Sequence, residues 1–126
     1  MPALFTMRKI LPFVSLLSAL GLSQSVFAMP EGFKMVTFAK PPQVTYPTGV
    51  AASGNGDVYV SVDLNSSIDQ KANRGKIVKC VDTDGDGVAD KFTDYVPNID
   101  SPRSSCFVGD TLYVVNPPFL SAFRDK

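Results

Sequence analysis

Turn-forming residues interrupt this chain too often for a long helix to form. Ten prolines and nine glycines are spread through 126 residues, and after Met29 no long stretch keeps apolar residues at a 3.6-residue spacing. Between the interruptions lie short runs rich in Val, Ile, Tyr and Phe, residues that fit a pleated, half-buried surface. The expected strands are 33–39, 49–52, 57–62, 76–81, 91–96, 104–108, 111–115 and 119–124. So many short strands restrict the fold to the all-β class, as sandwich, barrel or propeller.

An internal repeat narrows that choice. Tyr46-Pro47-Thr48-Gly49-Val50 leads through Gly54 to Val58-Tyr59-Val60, and Ser101-Pro102-Arg103 leads through Gly109 to Leu112-Tyr113-Val114. Tyr59 and Tyr113 are 54 residues apart, against the ~40 to 50 usual for a propeller blade. The polar insert 63–75 (DLNSSIDQKANRG) accounts for the excess. Asp82 follows the third strand of the first unit and Asp125 the third strand of the second, so the units share an order of parts. The leading strand 33–39 is spare, as in ring-shaped folds that pair a first strand with the last blade and so hide an open edge. About two blades are present, whereas closed propellers have roughly four to eight. The expected reading is therefore the N-terminal part of a propeller, residues 29–126, with further blades downstream. The alternative is a set of strands that closes on itself as a small sandwich.

The N-terminus has the order of parts of a cleavable export signal. Arg8 and Lys9 form a basic start, 10–22 is an uncharged run of 13 residues, and Val26-Phe27-Ala28 supplies small residues before a cut after Ala28. Thirteen residues are too few to cross a bilayer, which takes about 20. Residues 1–28 are thus expected to be removed, the mature part to have no membrane span, and the protein to be periplasmic or extracellular. Without Arg8 and Lys9 the chain keeps ten of its twelve basic residues and all twelve acidic ones. That mild acidity argues against a nucleic-acid partner.

Export also permits a disulfide between Cys80 and Cys106, the two cysteines of the chain. Closing a loop of about 25 residues would stabilise the fold by ~3 kcal/mol in the chain-entropy account. Two buried thiols fit the sequence equally well. The sequence has no His, so the usual ligand of zinc and haem is missing.

Asp82, Asp84, Asp86 and Asp90 fall within one short segment, DTDGDGVAD. Ca²⁺ takes six to eight hard oxygen ligands, and a tight loop offers carboxylates at its first, third and fifth positions with Gly at the sixth. Those places are Asp82, Asp84, Asp86 and Gly87. Val88 follows with its backbone carbonyl, and Asp90 stands at the ninth position. Thr93 occupies the twelfth, where a helix-loop-helix calcium hand has a bidentate Glu, so a shorter extracellular relative of that loop is expected. Two other readings are an ion-free Asp-Gly turn and a catalytic carboxylate pair. Crowding of four acids favours the ion.

The ordered set Pro47-Thr48-Gly49-Val50, Gly56-Asp57-Val58-Tyr59-Val60, Gly75-Lys76-Ile77-Val78 and the 82–90 loop resembles the N-terminal blades of sorbosone and glucose dehydrogenase-like propellers. It is most similar to the large secreted planctomycete and verrucomicrobial proteins described as membrane-bound dehydrogenases with a haem-binding C-terminal part. The resemblance covers most of 31–126. It implies a six-bladed propeller and oxidation of a sugar or alcohol with pyrroloquinoline quinone or haem, close to Ca²⁺. It also implies a channel mouth lined by Asp63, Asn65, Arg103 and Asn116, which otherwise read as solvated loop residues. The His base of the quinone enzymes and the Cys-x-x-Cys-His haem motif are absent from this sequence, so no catalytic residue is assigned. Two functions follow: a dehydrogenase-like propeller module with a structural Ca²⁺ loop, or a non-catalytic Ca²⁺-stabilised extracellular binding or scaffold module.

Overall fold

Alternation of side chains along one strand explains how the sheets stack. In Val58-Tyr59-Val60-Ser61-Val62-Asp63 the three valines point to one face, and Tyr59, Ser61 and Asp63 to the other. The computed structural model describes residues 29–65 and 71–125. It divides into two units, Met1–Phe33 and Lys34–Lys126. The described part of the first is a turn in which Phe33 N–H donates to the Pro30 carbonyl at 3.1 Å.

The described residues of the second unit form seven strands: β1 (Pro47–Ala52), β2 (Val58–Asp63), β3 (Gly75–Val81), β4 (Lys91–Ile99), β5 (Ser104–Val108), β6 (Thr111–Asn116) and β7 (Phe119–Phe123). They form a four-stranded sheet in the order β1-β2-β3-β4 and a three-stranded sheet in the order β5-β6-β7. Every neighbouring pair is antiparallel. The fold is all-β, with no helix among the described residues, and none there is long and apolar enough to cross a membrane. The export signal expected over 1–28 lies outside the described residues.

Turn chemistry sets each connection. Ser53 N–H donates to Asp57 O at 2.9 Å and Gly56 N–H to Ser53 O at 3.0 Å, closing the β1–β2 turn. Gly109-Asp110 joins β5 to β6 in two residues, as paired Val108 and Thr111 require. Pro117-Pro118 joins β6 to β7. β4 runs on past the expected Val96 to Ile99. Pro97 is tolerated there because β4 is an edge strand, where a missing N–H need not break a ladder.

The expected leading strand over 33–39 is not a strand. The segment bonds the 82–90 hairpin at one point, where Ala89 N–H donates to Phe38 O at 2.8 Å, and it makes no ladder. Pro41 and Pro42, which lack backbone N–H groups, end the extended run before pairing can grow. Residues 34–44 instead form a strap over one face of the four-stranded sheet. Phe38, Ala39 and Val44 pack there on Val60, Val62, Val78 and Cys80.

The opposite face of that sheet meets the three-stranded one. Ala51, Tyr59, Ile77 and Ile99 pack on Leu112 and Val114, with Tyr95, Phe107 and Phe123 at the margin. Ile77, Leu112 and Val114 are fully buried, each stabilising the fold by roughly 1.5–3 kcal/mol relative to exposure. The sheets approach closely where β1 meets β5. A β-carbon on Gly49 would lie 3.0 Å from Arg103 O and from Ser104 Cα, and one on Gly75 would overlap Pro102 and the Ile99 carbonyl.

Candidate metal centre

The hairpin between β3 and β4 is organised by its own carboxylates. Asp82 closes β3 and accepts from Gly85 N–H at Oδ1 and Gly87 N–H at Oδ2, both at 2.8 Å. Asp84 Oδ1 accepts from Asp86 N–H at 3.3 Å, and Asp86 Oδ1 from Val88 N–H at 2.7 Å. These turns need left-handed backbone at Gly85 (φ +77°) and Gly87 (φ +88°), which a residue with a β-carbon rarely adopts. The sequence therefore alternates Asp, which bends the chain by accepting forward amides, with Gly, which permits the bend.

The outcome is a triad. Asp82, Asp84 and Asp86 each offer an oxygen, and the three oxygens lie within 4.8 Å of one another. The Gly87 N–H above all holds the Asp82 carboxyl below the usual carboxylate range; burial opposes it, and the Gly85 amide adds to it. Carboxylates this close repel, and a cation between them reverses the sign of that interaction. Hard oxygens on a short loop fit Ca²⁺ better than a transition metal that prefers nitrogen or sulfur donors.

Of the five expected ligand residues, the structure gathers these three. Asp90 is turned to the base of the hairpin, where Oδ2 accepts from Thr83 N–H at 3.1 Å and from its hydroxyl at 2.6 Å. Val88 bonds the loop through its N–H, and its side chain borders a hollow of about 290 Å³ with Phe38, Ala89 and Phe92. The loop and the strap thus share a boundary.

Cys80 and Cys106 are free thiols in different surroundings. Cys80 is 0% exposed in the core under the strap, and burial pushes its thiol up. Cys106 is exposed on β5, in the other sheet. The bridge that the sequence permits is not formed, because one thiol faces the strap side of the four-stranded sheet and the other belongs to the three-stranded one; of the two thiols, Cys80 alone is buried.

Three of the four expected channel-mouth residues are not solvated as loop residues would be. Asp63 is 1% exposed, Asn65 4% and Asn116 7%, leaving Arg103 as the exposed member. Arg103 Nη1 stands 3.5 Å from Asp63 Oδ2, an atom with no hydrogen-bond partner among the described residues. Asp63 Oδ1 accepts from Asn65 N–H at 3.0 Å. Asn65 ties the loop by donating to Lys71 O at 2.8 Å and accepting from Lys71 N–H at 3.2 Å. Asn116 accepts from the Ser121 hydroxyl at 2.7 Å. The alternation of Tyr59, Ser61 and Asp63 on β2 was the available signal that Asp63 points between the sheets.

Sequence reasoning gave no sign of a cleft of about 380 Å³ at the other end of the intersheet space, bordered by Tyr59, Lys79, Tyr95, Phe107 and Arg124. Tyr59 meets Tyr95 and Phe107 edge to face, each at 4.9 Å between centroids. Lys79 Nζ lies 5.6 Å from the Tyr59 ring centre and 2.7 Å from Asp57 Oδ2. Arg124 is paired with Asp110 at 3.2 Å. The cations of this cleft are thus satisfied within the protein.

A family profile described as Domain of unknown function (DUF7133) matches residues 21–126. No curated protein and no solved structure matches the chain.

Proposed function

We propose that this chain, which belongs to the DUF7133 family, is an exported β-propeller module held in shape by Ca²⁺ at Asp82, Asp84 and Asp86, and that it supplies framework to a dehydrogenase-like protein. The observation that carries the calcium reading is the convergence of three carboxylate oxygens within 4.8 Å on a loop whose backbone is already bent around them. Two successive antiparallel meanders packed face to face support the propeller reading, since that is how neighbouring blades meet. The blades that would complete the ring lie downstream in this reading.

The residues present do not fit quinone or haem. The sequence has neither a His nor a Cys-x-x-Cys-His motif. Oxidation of a sugar or alcohol, the activity that the resemblance implies, belongs in this proposal to the remainder of the protein. The same lack of His favours a second reading, a non-catalytic Ca²⁺-stabilised binding or scaffold module. An assay of the extended gene product with sugars and alcohols and an artificial electron acceptor separates them: turnover supports the dehydrogenase-like reading, and its absence supports the scaffold.

Thermal unfolding with added Ca²⁺ and with chelator tests the metal. A midpoint that rises with Ca²⁺ in the natural chain and not in Asp84→Asn supports the site. An unchanged midpoint in both overturns it.

A further inference from the structure

Asn55-Gly56 is the one Asn-Gly dipeptide of the chain, and the turn that joins β1 to β2 gathers donors around its side chain. Both residues are exposed. Asn55 Oδ1 accepts from the Ser53 hydroxyl and, at 3.4 Å, from Asp57 N–H. The second contact folds the side chain back over the peptide that follows it. Asn55 Nδ2 donates to Asp57 Oδ2 at 3.0 Å. Gly56 has left-handed backbone (φ +93°) and no other part of the protein crowds it, since even an added β-carbon would meet no atom within 4 Å. Its amide nitrogen is therefore open to the neighbouring side chain.

We propose that this turn is a self-modification site, at which Asn55 cyclises onto Gly56 and is hydrolysed to aspartate and isoaspartate. The Gly56 amide nitrogen attacks Asn55 Cγ and forms the new N–C bond of a succinimide. The Cγ–Nδ2 bond breaks, and Nδ2 leaves as ammonia with the proton that Gly56 gives up. Water then opens the ring. Cleavage at Cγ leaves aspartate in the original chain, and cleavage at the main-chain carbonyl leaves isoaspartate, whose backbone runs through the side chain. Negative charge collects on Oδ1 as the nitrogen adds, and the two donors already on that atom are placed to stabilise it. One contact opposes the attack: Gly56 N–H donates to Ser53 O at 3.0 Å. That bond has to open first, which costs little in an exposed turn.

The other four asparagines each lack one of these conditions. Asn65 and Asn116 are buried, and Asn116 precedes Pro117, which has no N–H. Asn73 and Asn98 are exposed but precede Arg74 and Ile99, whose side chains crowd the attacking nitrogen as Gly does not. Modification at Asn55 changes the cleft that it borders with Tyr59 and Lys79. A donor to Asp57 Oδ2 becomes a second carboxylate beside it, and Lys79, 2.7 Å from the same Asp57 oxygen, acquires two acidic neighbours. One wall of the cleft gains a negative charge with no enzyme, metal or partner involved.

The experiment incubates the 126-residue chain at mildly alkaline pH, folded and in urea, and follows its proteolytic peptides by mass spectrometry and chromatography. Asn55 is expected to be converted in the folded protein while Asn73 and Asn98 remain amides. Ser53→Ala is expected to slow the conversion roughly threefold to tenfold, less than the loss of an oxyanion donor costs in a water-excluded site. Ser53→Thr, which keeps the hydroxyl, is expected to restore the natural rate. An Asn55 that stays an amide in the folded protein, over a time in which the urea-unfolded chain converts it, overturns the proposal. Conversion in Ser53→Ala as fast as in the natural chain, or Ser53→Thr as slow as Ser53→Ala, overturns it as well.

Discussion

Arg103 Nη1 stands 3.5 Å from Oδ2 of Asp63, a carboxylate with 1% of its side chain exposed. Arg103 itself is 53% exposed, so the pair has one member in water and one between the sheets. Removing the guanidinium leaves a buried charge uncompensated, which is more damaging than never having had the pair. Arg103→Ala is expected to lower unfolding free energy by about 2–3 kcal/mol, and adding Asp63→Asn to recover ~1 kcal/mol of that. Urea titration of the single and double variants measures both; strict additivity would show that the two side chains are not coupled.

The proposed binding of Ca²⁺ at the triad predicts a calculable effect on stability. For a dissociation constant of ~10⁻⁴ to 10⁻³ M, 10 mM Ca²⁺ adds about 1.4 to 2.7 kcal/mol. In a unit of this size that raises the midpoint by roughly 6 to 20 °C. Asp84→Asn and Asp86→Asn are each expected to remove most of the rise, whereas Asp90→Asn, whose carboxylate is engaged with Thr83, changes it less. Scanning calorimetry against Ca²⁺ concentration separates the three variants.

The Asp57–Lys79 pair sets two limits on the pH range of stability. The Lys79 ammonium, donating at 2.7 Å, is the main cause holding the Asp57 carboxyl below its ordinary value. Asp57 in turn is the main cause holding Lys79 above its own. A depressed carboxyl contributes stability that is present above about pH 4 and is lost as pH falls through the folded value. A raised ammonium contributes stability that is present below about pH 10 and is lost as pH rises through the folded value. Lys79→Met is therefore expected to flatten both limbs of the midpoint-against-pH profile. Parallel profiles in the natural and substituted chains would show that the pair carries no linkage.

Gly75→Ala tests the close approach of the sheets. The added β-carbon meets Pro102 and the Ile99 carbonyl, neither of which is a flexible side-chain end. A loss of about 1–3 kcal/mol is expected, the range of overpacking. Gly54→Ala, where a β-carbon meets no atom within 4 Å, serves as its control. Both are read by urea denaturation.

Strands were legible in the sequence where alternation and a specific turn coincided. β3, β5 and β7 lie close to their expected bounds because Gly-Asp, Pro-Pro and the acidic hairpin leave the chain few other places to reverse. The segment 33–39 misled because a period of two records which residues are suited to a strand, not whether a neighbour supplies the ladder. Asp90 was displaced from the triad by a local competitor, the Thr83 hydroxyl, whose contact depends on how the hairpin folds back. Asp63 read as a solvated loop residue because charge was weighed before parity. Its burial depends on Arg103, forty residues further on, reaching it from the start of another sheet.

The bond from Ala89 to Phe38 fastens the strap to the hairpin that the triad shapes. Disordering that hairpin by chelation would loosen the strap before either sheet opens. If the triad holds Ca²⁺ as proposed, the first sign of its loss is proteolytic nicking between residues 34 and 44 with the strands still intact, and sensitivity to protease then gauges ion occupancy.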